Sequence, residues 1–518
     1  MSEKPKKVYD YNQDAVRERL ITAFRGKRGE ATVADLAAAT GLPLQQIDAE
    51  LPAVSDEYGA RLKVTESGEL LYSFPEGMKS RYRGFSHTLA RGWKAFKKGF
   101  VAVGKIAFKA WIVTMLVGYF VLFLALALFA FILSIAAQRG GGSSDSRSDR
   151  RGGGGIGGLW MTGRIFDSLI RIWFYSELFK GPNDRYRLGD ERKEKKPLFK
   201  SVFSHVFGDG DPNASWPEIE KKAVVAFLQS HKGVITLPEF MAVTGLSPKG
   251  AEAAINRYML EFEGTPEVSE GGLVYYFFPK LLAKVGTTPG VYGNTTLLKR
   301  LGKFSMNEPK ADRTFRTINL VNVAFGSYFL YNAATIGTEF FRLTPDGYVF
   351  RNGLAFLYSA SGYLFTQVIP LANPAAFITW GLGVVPLAFS ALFFLIPLLR
   401  AAKLKRDNET LKAENLRRVV YRNILASPLG FKPESVVPPV DEARPRDTHS
   451  AEKIAEELAA WAGADASAAP SPSASQTDRI VSWDYTELAR TQAEAVRVRD
   501  GIDLSRYTPG DTVFDSQA

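Results

Sequence analysis

The sequence predicts a membrane protein, mainly α with small α+β parts. Two observations predict this class: long apolar runs lie in a chain of 518 residues, and one pattern of residues occurs twice along it. The net charge of +11 and the pI of about 9.4 fit either a nucleic acid or an anionic membrane surface as partner. Because the basic residues lie mostly beside the apolar runs, they indicate cytoplasmic membrane flanks.

Cysteine is absent from the chain. This excludes disulfides, thiol nucleophiles and zinc or iron–sulfur sites held by thiolates. Residues 1–10 are charged and contain no apolar stretch, so we expect neither a cleavable signal peptide nor a transit peptide. The apolar runs would then direct the chain to the membrane.

Membrane-spanning segments are predicted in two regions. Residues 110–137 are almost all apolar, and about 20 such residues cross a hydrocarbon core of about 30 Å, so a first transmembrane helix is predicted there. A membrane domain of two or three further spans is predicted over 317–400, at residues 318–336, 353–371 and 375–399. The sequence therefore predicts about four transmembrane helices.

The segments that follow the first span leave the topology open. Residues 138–158 are rich in Gly, Ser and Arg and indicate a flexible linker, whereas residues 159–179 predict an amphipathic helix in the membrane interface. Basic flanks place the N-terminus and the region after Leu399 in the cytoplasm, which requires an even number of crossings. One span before the middle of the chain would put that part outside. It would stay inside if residues 159–179 re-enter the membrane and one of the later segments does not cross.

The internal repeat joins residues that are 204 positions apart in the chain, such as Thr32 and Thr236, Gly41 and Gly245, and Tyr72 and Tyr276. Each copy is predicted to form a helix, a second helix opened by a capping box, a third helix and a β-hairpin. This is the order of elements in a winged helix. We therefore predict two winged-helix-like domains, at 11–78 and 216–282.

The third helix of each copy lacks the positive charge that a DNA duplex attracts. Residues 44–58 contain four acidic side chains and no Lys or Arg, and the two basic residues of 248–262 are balanced by two glutamates. Protein contact is therefore favoured over DNA, with candidate partner-binding residues Asp48, Glu50, Lys249 and Arg257. The alternative is DNA contact through the basic wing flank, which contains Arg61 and Lys63.

One short motif resembles a calcium loop. Counting from Asp209, oxygen-bearing side chains stand at positions one, three, five and twelve, which makes four residues the candidate metal ligands: Asp209, Asp211, Asn213 and Glu220. Position six should be glycine for the sharp turn, but it is Ala214. An Asp/Gly/Pro connector that ends one helix and begins the next is therefore the favoured interpretation.

No residues predict a catalytic site or a cofactor. The histidines are scattered without ligand spacing, so each is expected at a surface or interface: His87, His205, His231 and His449. No catalytic triad order or phosphate-binding glycine loop occurs. Polar residues within the predicted spans, Asn319, Asn322, Asn332 and Gln367, are better explained by hydrogen bonds between helices than by a transport path.

The C-terminal part is predicted to be a charged helix at 401–425 followed by a largely disordered tail at 426–518. Within this tail, residues 451–461 and 485–498 suggest short docking helices. Residues 510–515 end in Val-Phe-Asp and suggest either a docking tail, for a partner or for the chain itself, or a frayed terminus.

Taken together with the repeat and the Gly/Arg-rich linker, residues 201–213 and the Val-Phe-Asp tail resemble a family of uncharacterised membrane-anchored proteins with winged helices. The resemblance implies relatives in cyanobacteria, other bacteria and chloroplasts. Plant members sometimes carry an iron–sulfur cluster biosynthesis label, to which a chain without cysteine gives little chemical support. The family supplies no catalytic residues.

These observations favour a non-enzymatic, membrane-anchored scaffold or regulatory protein whose winged helices make protein contacts. A membrane-tethered transcription regulator and a small-solute transporter are the alternatives. The expected partners are membrane lipid and an unidentified protein partner, with nucleic acid disfavoured and a homo-oligomer compatible. The expected location is multi-pass in the bacterial cytoplasmic (inner) membrane.

Overall fold

The computed structural model describes residues 11–26, 29–74, 78, 104, 107–139, 197–285, 297–345, 347–436, 448–469 and 479–516. These residues are mainly helical, with small antiparallel sheets. They separate into two compact units. Unit 1 comprises residues 1–91, 211–302 and 406–518, and unit 2 comprises residues 92–210 and 303–405. The predicted interfacial helix at 159–179 and most of the predicted linker lie outside the described residues, as does His87.

The first module of unit 1 has three helices and a hairpin: α1 Gln13–Gly26, α2 Val33–Thr40, α3 Leu44–Tyr58, β1 Arg61–Thr65 and β2 Leu70–Ser73. The predicted capping box opens α2, because Thr32 accepts the Asp35 N–H and the Asp35 carboxylate accepts the Thr32 N–H. The hairpin turns at Gly68, whose φ of +81° suits glycine.

From Ala107 onward, unit 2 contains a helix that includes a π-helical turn, Thr114–Gly118, and continues as α4 Tyr119–Arg139. Helix α5, Leu198–Phe207, lies in the segment that carries the family resemblance. Its apolar face packs beside the helix that contains Ile112 and Leu116, and Val202 and Val206 share a buried cluster with these two residues.

The second module belongs to unit 1 and has the elements of the first with one additional short strand, β3: α6 Trp216–Ser230, β3 Val234–Ile235, α7 Leu237–Thr244, α8 Pro248–Phe262, β4 Thr265–Val268 and β5 Val274–Phe277. A 3-10 turn, Pro279–Leu282, follows. The capping box of Thr236 and Glu239 forms as predicted. In this module β5 is the central strand, paired with β3 and β4.

The second part of unit 2 contains α9 Pro309–Ile336, β6 Phe341–Thr344, β7 Gly347–Phe350 and α10 Phe356–Tyr363, with a 3-10 turn before α10 and a π-helical turn after it, Gly353–Ala355 and Leu364–Val368. A helical turn at Pro374–Ala376 and a π-helical stretch at Phe377–Val384 then lead into α11, Val385–Ala426. The predicted charged helix at 401–425 is therefore the end of one long helix.

Two of the described helices are long and apolar enough to cross a membrane, Ala107–Ala136 and Pro374–Ala426. The prediction of about four transmembrane helices was wrong for two segments. Helix α9 covers residues 318–336, but its asparagines lower its apolar content. Within residues 353–371, a run of short helical pieces ends at Val368 and is too short to span about 30 Å.

The C-terminal region has regular structure where it is described, which corrects the prediction of a largely disordered tail. After α11 come a 3-10 turn Pro433–Ser435, α12 Thr448–Ala462, β8 Asp465–Ala469, β9 Arg479–Asp484, α13 Thr486–Gly501, a 3-10 turn Leu504–Arg506 and β10 Thr512–Asp515. Composition hid this order, because Ala- and Ser-rich strands carry a weak apolar pattern.

The core of unit 1 joins all of its parts. Leu20 and Leu51 of the first module, Leu228 and Phe262 of the second, and Tyr421, Leu458 and Tyr485 of the C-terminal region belong to one buried cluster. Each apolar side chain that is removed from water contributes about 1.5–3 kcal/mol. The two modules and the C-terminal region therefore fold as parts of one body.

Candidate functional site

The turn between α2 and α3 packs against another helix of the same chain. Gly41 has φ of +68°. A Cβ atom at this position would lie 3.0 Å from the carbonyl oxygen of Glu218 and 3.3 Å from Cβ of Lys221, both on α6. The guanidinium of Arg19, on α1, also contacts α6, since it lies 2.5 Å from the Glu218 carboxylate. The turn of the first module is thus seated on the first helix of the second.

The corresponding turn of the second module packs in the same way against α11. Gly245 has φ of +70°, and a Cβ atom there would lie 2.7 Å from Cγ of Arg418 and 2.8 Å from the carbonyl oxygen of Glu414. Both contacts are to α11. Only glycine combines this backbone conformation with this close approach.

Arg418 fixes the second turn contact. Its side chain is 1% exposed, its guanidinium donates to the carbonyl oxygen of Thr244, and Nη2 lies 3.3 Å from Oε2 of Glu220. The guanidinium carbon lies 4.9 Å from the centre of the Trp216 ring, within cation–π range. Burial lowers the pKa of Arg418, and Glu220 and Glu414 oppose the shift. A buried arginine with these partners holds α6, the turn and α11 in one arrangement.

The predicted partner-binding residues are divided between interior and surface. Glu50 is 2% exposed and accepts from Tyr11 Oη at 3.0 Å and Arg17 Nε at 2.5 Å. Glu50 is therefore used inside the first module and is removed from any partner surface. Lys249 and Arg257 are exposed on α8, where Arg257 Nε donates to Glu261 at 2.8 Å.

Asp48 lies on the exposed side of α3, close to charged residues of the second module. Desolvation is the largest cause of its raised pKa, Lys280 acts in the opposite sense, and Glu263 adds to the rise. The partner-binding role stays a prediction for Asp48, Lys249 and Arg257.

The predicted calcium ligands each have protein partners. Asp209 Oδ2 accepts from the Met306 N–H at 2.7 Å and Asp211 Oδ1 from the Asn213 N–H at 2.8 Å. Asn213 makes a two-way pair with the main chain of Arg300, and Glu220 accepts from Trp216 Nε1 at 3.0 Å. Within the part of the chain that the structure describes, no three His, Asp or Glu side chains are grouped to hold a metal ion. The calcium loop stays a prediction, and the connector interpretation agrees with these bonds.

A buried polar cluster in unit 2 was not predicted. His205 on α5 is 2% exposed, which corrects its expected surface or interface position. Its ring lies among Phe304, Phe315 and Phe393, and its Nδ1 is 3.2 Å from Oδ1 of Asp312. The only sequence signal was its place in the segment that carries the family resemblance.

Asp312 is the charged centre of this cluster. Burial alone would raise its pKa, but hydrogen bonds from His205, Ser305 and Asn307 outweigh burial and lower it to about 2. Arg400 closes the cluster from α11, since Nη2 donates to the His205 carbonyl at 2.8 Å. Gly208 has φ of +82°, which favours glycine, and it lies against the guanidinium of Arg400. The cluster therefore fixes how α5 and the start of α9 meet.

The C-terminal tail binds the first module. Strand β10 pairs antiparallel with β1, with Asp515 opposite Lys63 and Phe514 opposite Val64, so that the sheet order is β10-β1-β2. The Arg61 guanidinium and the Asp515 carboxylate form a two-pronged ion pair, with Nε–Oδ1 at 2.8 Å and Nη2–Oδ2 at 2.5 Å. Of the alternatives for this tail, docking onto the chain itself is confirmed.

Helix α13 leads to this strand across the second module. Arg499 Nη2 lies 2.6 Å from Oε2 of Glu239, which belongs to the capping box of α7, and the Gly271 N–H of the turn between β4 and β5 donates to Glu494 at 3.2 Å. The Tyr507 ring packs edge-on to Phe277 of β5, with ring centres 6.0 Å apart. We call residues 486–516 the strap, because they run from the C-terminal region over the second module to the first.

One comparison with known proteins gives a relative. A chloroplastic protein of Arabidopsis thaliana, itself uncharacterised, is 23% identical over 434 residues, which cover 80% of this chain and 73% of the relative. No family model and no solved structure matches the chain. The chain is a distant homologue of this chloroplast protein, in keeping with the chloroplast members that the family resemblance implies. The relative gives no support to a bacterial inner membrane.

Proposed function

We propose that the chain is a non-enzymatic, membrane-anchored scaffold whose winged-helix modules bind protein. One observation carries this proposal: the turns at Gly41 and Gly245 are each closed against a helix of the same chain. In a winged helix, this turn leads into the helix that DNA-binding members place in the major groove. Here the turn packs against a helix of the same chain, which supports protein over DNA as the partner of this surface.

Three segments support the winged-helix assignment. The first two modules each contain three helices and then a hairpin. The described residues of the C-terminal region share two local features with them, a strand pairing and a residue of positive φ. Ala31 pairs with Tyr72 in the first module, Ile235 with Tyr276 in the second, and Phe431 with Trp483 in the third. A residue with positive φ stands two positions before each hairpin: Gly59, Glu263 and Gly463. We therefore propose a third copy that begins in the last part of α11 and ends with β9.

The charges disfavour the alternative of a membrane-tethered transcription regulator. Helix α3 contains no Lys or Arg, and α12 contains three glutamates and one lysine. The basic wing flank is neutralised within the chain, because Arg61 pairs with Asp515 and Lys63 lies 2.6 Å from Glu30. A duplex would have to displace both carboxylates to reach these cations.

Exposed apolar surface supports the membrane anchor. Along Ala107–Ala136 and Pro374–Ala426, most of the apolar window is not buried by the rest of the protein, and Leu398 is 67% exposed. A water-soluble protein rarely exposes a continuous apolar surface of this extent. Lipid is the partner that would cover it, with Arg400 and Lys403 at the end of the span.

Packing within unit 1 bears on the topology. The first and second modules share a core, so they lie on the same side of the membrane. If Ala107–Ala136 crosses the membrane, the chain has to cross back before it enters the second module at Trp216. The C-terminal region shares this core as well, so a crossing by Pro374–Ala426 requires a second crossing between residues 302 and 406. The shared core therefore favours the predicted alternative in which the chain re-enters the membrane before the second module, and it disfavours a second module on the outside.

Contacts of the polar residues weigh against the transporter alternative. Ser390 Oγ donates to Asn319 Oδ1 at 2.9 Å, and Asn322 Nδ2 donates to the Leu116 carbonyl at 2.9 Å. These are hydrogen bonds between helices, as predicted. Asn332 instead bonds within its own helix, to the Tyr328 carbonyl at 2.8 Å.

The test uses the full chain in detergent and in native membranes. A photo-reactive residue at Lys249 or Arg257, both exposed on α8, should give discrete cross-links to protein, and the matched control at exposed Glu409 on α11 should give fewer. Fluorescence anisotropy with labelled duplex DNA should show no binding at physiological salt. Tight binding whose affinity falls steeply with salt would establish the regulator instead.

A further inference from the structure

The edge of β1 that holds β10 is a binding site for an extended strand. We propose that this site is exchangeable, and that a second copy of the chain supplies its own β10 to it. The contacts at this site are local, since they join residues 61–66 to residues 510–516. A tail from another copy would make every one of them.

The strand is held mainly by its main chain. The Ser516 N–H donates to the Leu62 carbonyl at 2.9 Å and the Glu66 N–H to the Asp511 carbonyl at 3.0 Å. Val513 and Phe514 are 69% and 59% exposed, so burial of their side chains contributes little. Peptides that add a strand to a sheet edge are bound in this manner, by ladder hydrogen bonds with few side-chain contacts.

One charge pair gives the site its selectivity. The side chain of Asp515, a residue of β10, is 14% exposed and pairs with the guanidinium of Arg61. A ligand therefore needs an extended main chain with a carboxylate opposite Arg61. A second copy of the chain carries this sequence in register, which is why we assign the ligand to a copy and not to an unrelated protein.

Strand β10 can leave its site while the rest of the strap stays bound, because the strap has its own contacts before β10. The last ring contact before β10 is that of Tyr507 with Phe277, and Arg499 holds α13 at Glu239. The chain after Tyr507 can then redirect the strand while residues 486–507 of the strap stay in place. A short tether holds a ligand at an effective concentration of about millimolar, so exchange between copies should rise with protein concentration.

If two copies each place β10 on the β1 edge of the other, no strand edge is left open at this site. An empty β1 edge would present unpaired N–H and C=O groups, which is unfavourable for a soluble surface. When two copies exchange β10, both edges are filled again and the pair has twofold symmetry. The outcome is a dimer that leaves no open edge at either wing.

The absence of native cysteine makes a direct test possible. A chain with Val64→Cys and a separately tagged chain with Phe514→Cys are mixed and briefly oxidised. Cα atoms that face each other in an antiparallel pair are about 4.5–5.5 Å apart, which a disulfide can bridge. We expect a cross-linked heterodimer whose yield rises with concentration.

The matched control replaces Val64→Cys by Leu70→Cys. Leu70 faces Val64 from β2, one strand farther from β10, and it is also accessible to solvent. Its bridge to position 514 should be at least about tenfold less abundant, because strands lie about 4.8 Å apart and the gap is doubled. Equal yields at the two positions would mean random collision and would overturn the proposal.

Two further arms complete the test. Arg61→Glu in the acceptor should lower the heterodimer yield by about two- to fivefold, and Asp515→Lys in the donor should restore it. One chain that carries both Val64→Cys and Phe514→Cys should bridge within itself. If it does so while the mixture gives no heterodimer at any concentration, the strand stays with its own chain and the proposal is wrong. No bridge in either sample would contradict the β1–β10 pairing itself.

Discussion

The guanidinium of Arg418 lies over the ring of Trp216, with 4.9 Å between the guanidinium carbon and the ring centre, although 202 positions separate the two residues in the chain. Trp216 begins the second module and Arg418 lies near the end of α11. Their contact joins the first residue of one module to the helix on which the turn of that module rests. The stability of unit 1 should therefore depend strongly on this arginine.

Replacement of Arg418 by methionine tests this dependence. The change removes the guanidinium donor of the Thr244 carbonyl and of Glu220, which keeps its bond from Trp216, and loss of one partner from a buried ion pair costs about 3–5 kcal/mol. Urea unfolding of the full chain in detergent should show a loss of this size. Arg406→Met, an exposed position on the same helix, should change the unfolding free energy by less than about 0.5 kcal/mol.

Three Gly→Ala variants separate backbone strain from close approach. Gly245 has both a positive φ and a neighbour at 2.7 Å, Gly41 has a positive φ and a neighbour at 3.0 Å, and Gly272 has a φ of +81° with no atom within 4 Å of its Cβ position. Gly272→Ala should cost about 1–3 kcal/mol from strain alone. Thermal unfolding should rank Gly245→Ala as the most destabilised and Gly272→Ala as the least. An equal loss at all three positions would contradict the turn contacts.

Asp312 should make the protein sensitive to acid. Its pKa is lowered from 3.8 to about 2, so its contribution to stability is present above pH 3.8 and is lost as the pH falls through about 2. A shift of this size corresponds to about 2 kcal/mol. The melting temperature should fall over this pH range, and the fall should be smaller in Asp312→Asn. Asp407→Asn, at an exposed position of α11, should keep the fall of the unmodified protein.

Single cysteines test the topology that the shared core requires. Ser67→Cys in the first wing and Ser247→Cys before α8 should give the same result with an impermeant maleimide applied to intact membrane compartments. Ser143→Cys, which follows the first apolar helix in the chain, serves as the comparison and should differ from both. A difference between positions 67 and 247 would mean that the two modules lie on opposite sides, which their common core forbids.

Local sequence signals predicted the first two modules well. The caps at Thr32 and Thr236, the glycine turns and the hairpins each depend on neighbouring residues, so their patterns are readable in one sequence. The same signals gave the helical character of residues 451–461 and 485–498, which form parts of α12 and α13.

Features that depend on distant partners could not be predicted. Asp515 is paired with Arg61, which is 454 positions away, and Trp483 forms its bridge with Phe431 across a segment of weak apolar pattern. His205 has no ligand spacing in the sequence, and its burial depends on three phenylalanines from other segments. The number of spans was overestimated because apolar runs were counted without the helix breaks near Gly353 and Ile369.

Unit 1 is built from three separated parts of the chain, which has a consequence for biosynthesis. Its core needs residues from both ends of the chain, because Val16 and Leu488 belong to the same cluster. Between them the ribosome has to complete all of unit 2, including both apolar helices. The first module is therefore made early and waits with an incomplete core until translation is nearly finished. This long interval makes the growing chain a natural client for chaperones at the ribosome exit.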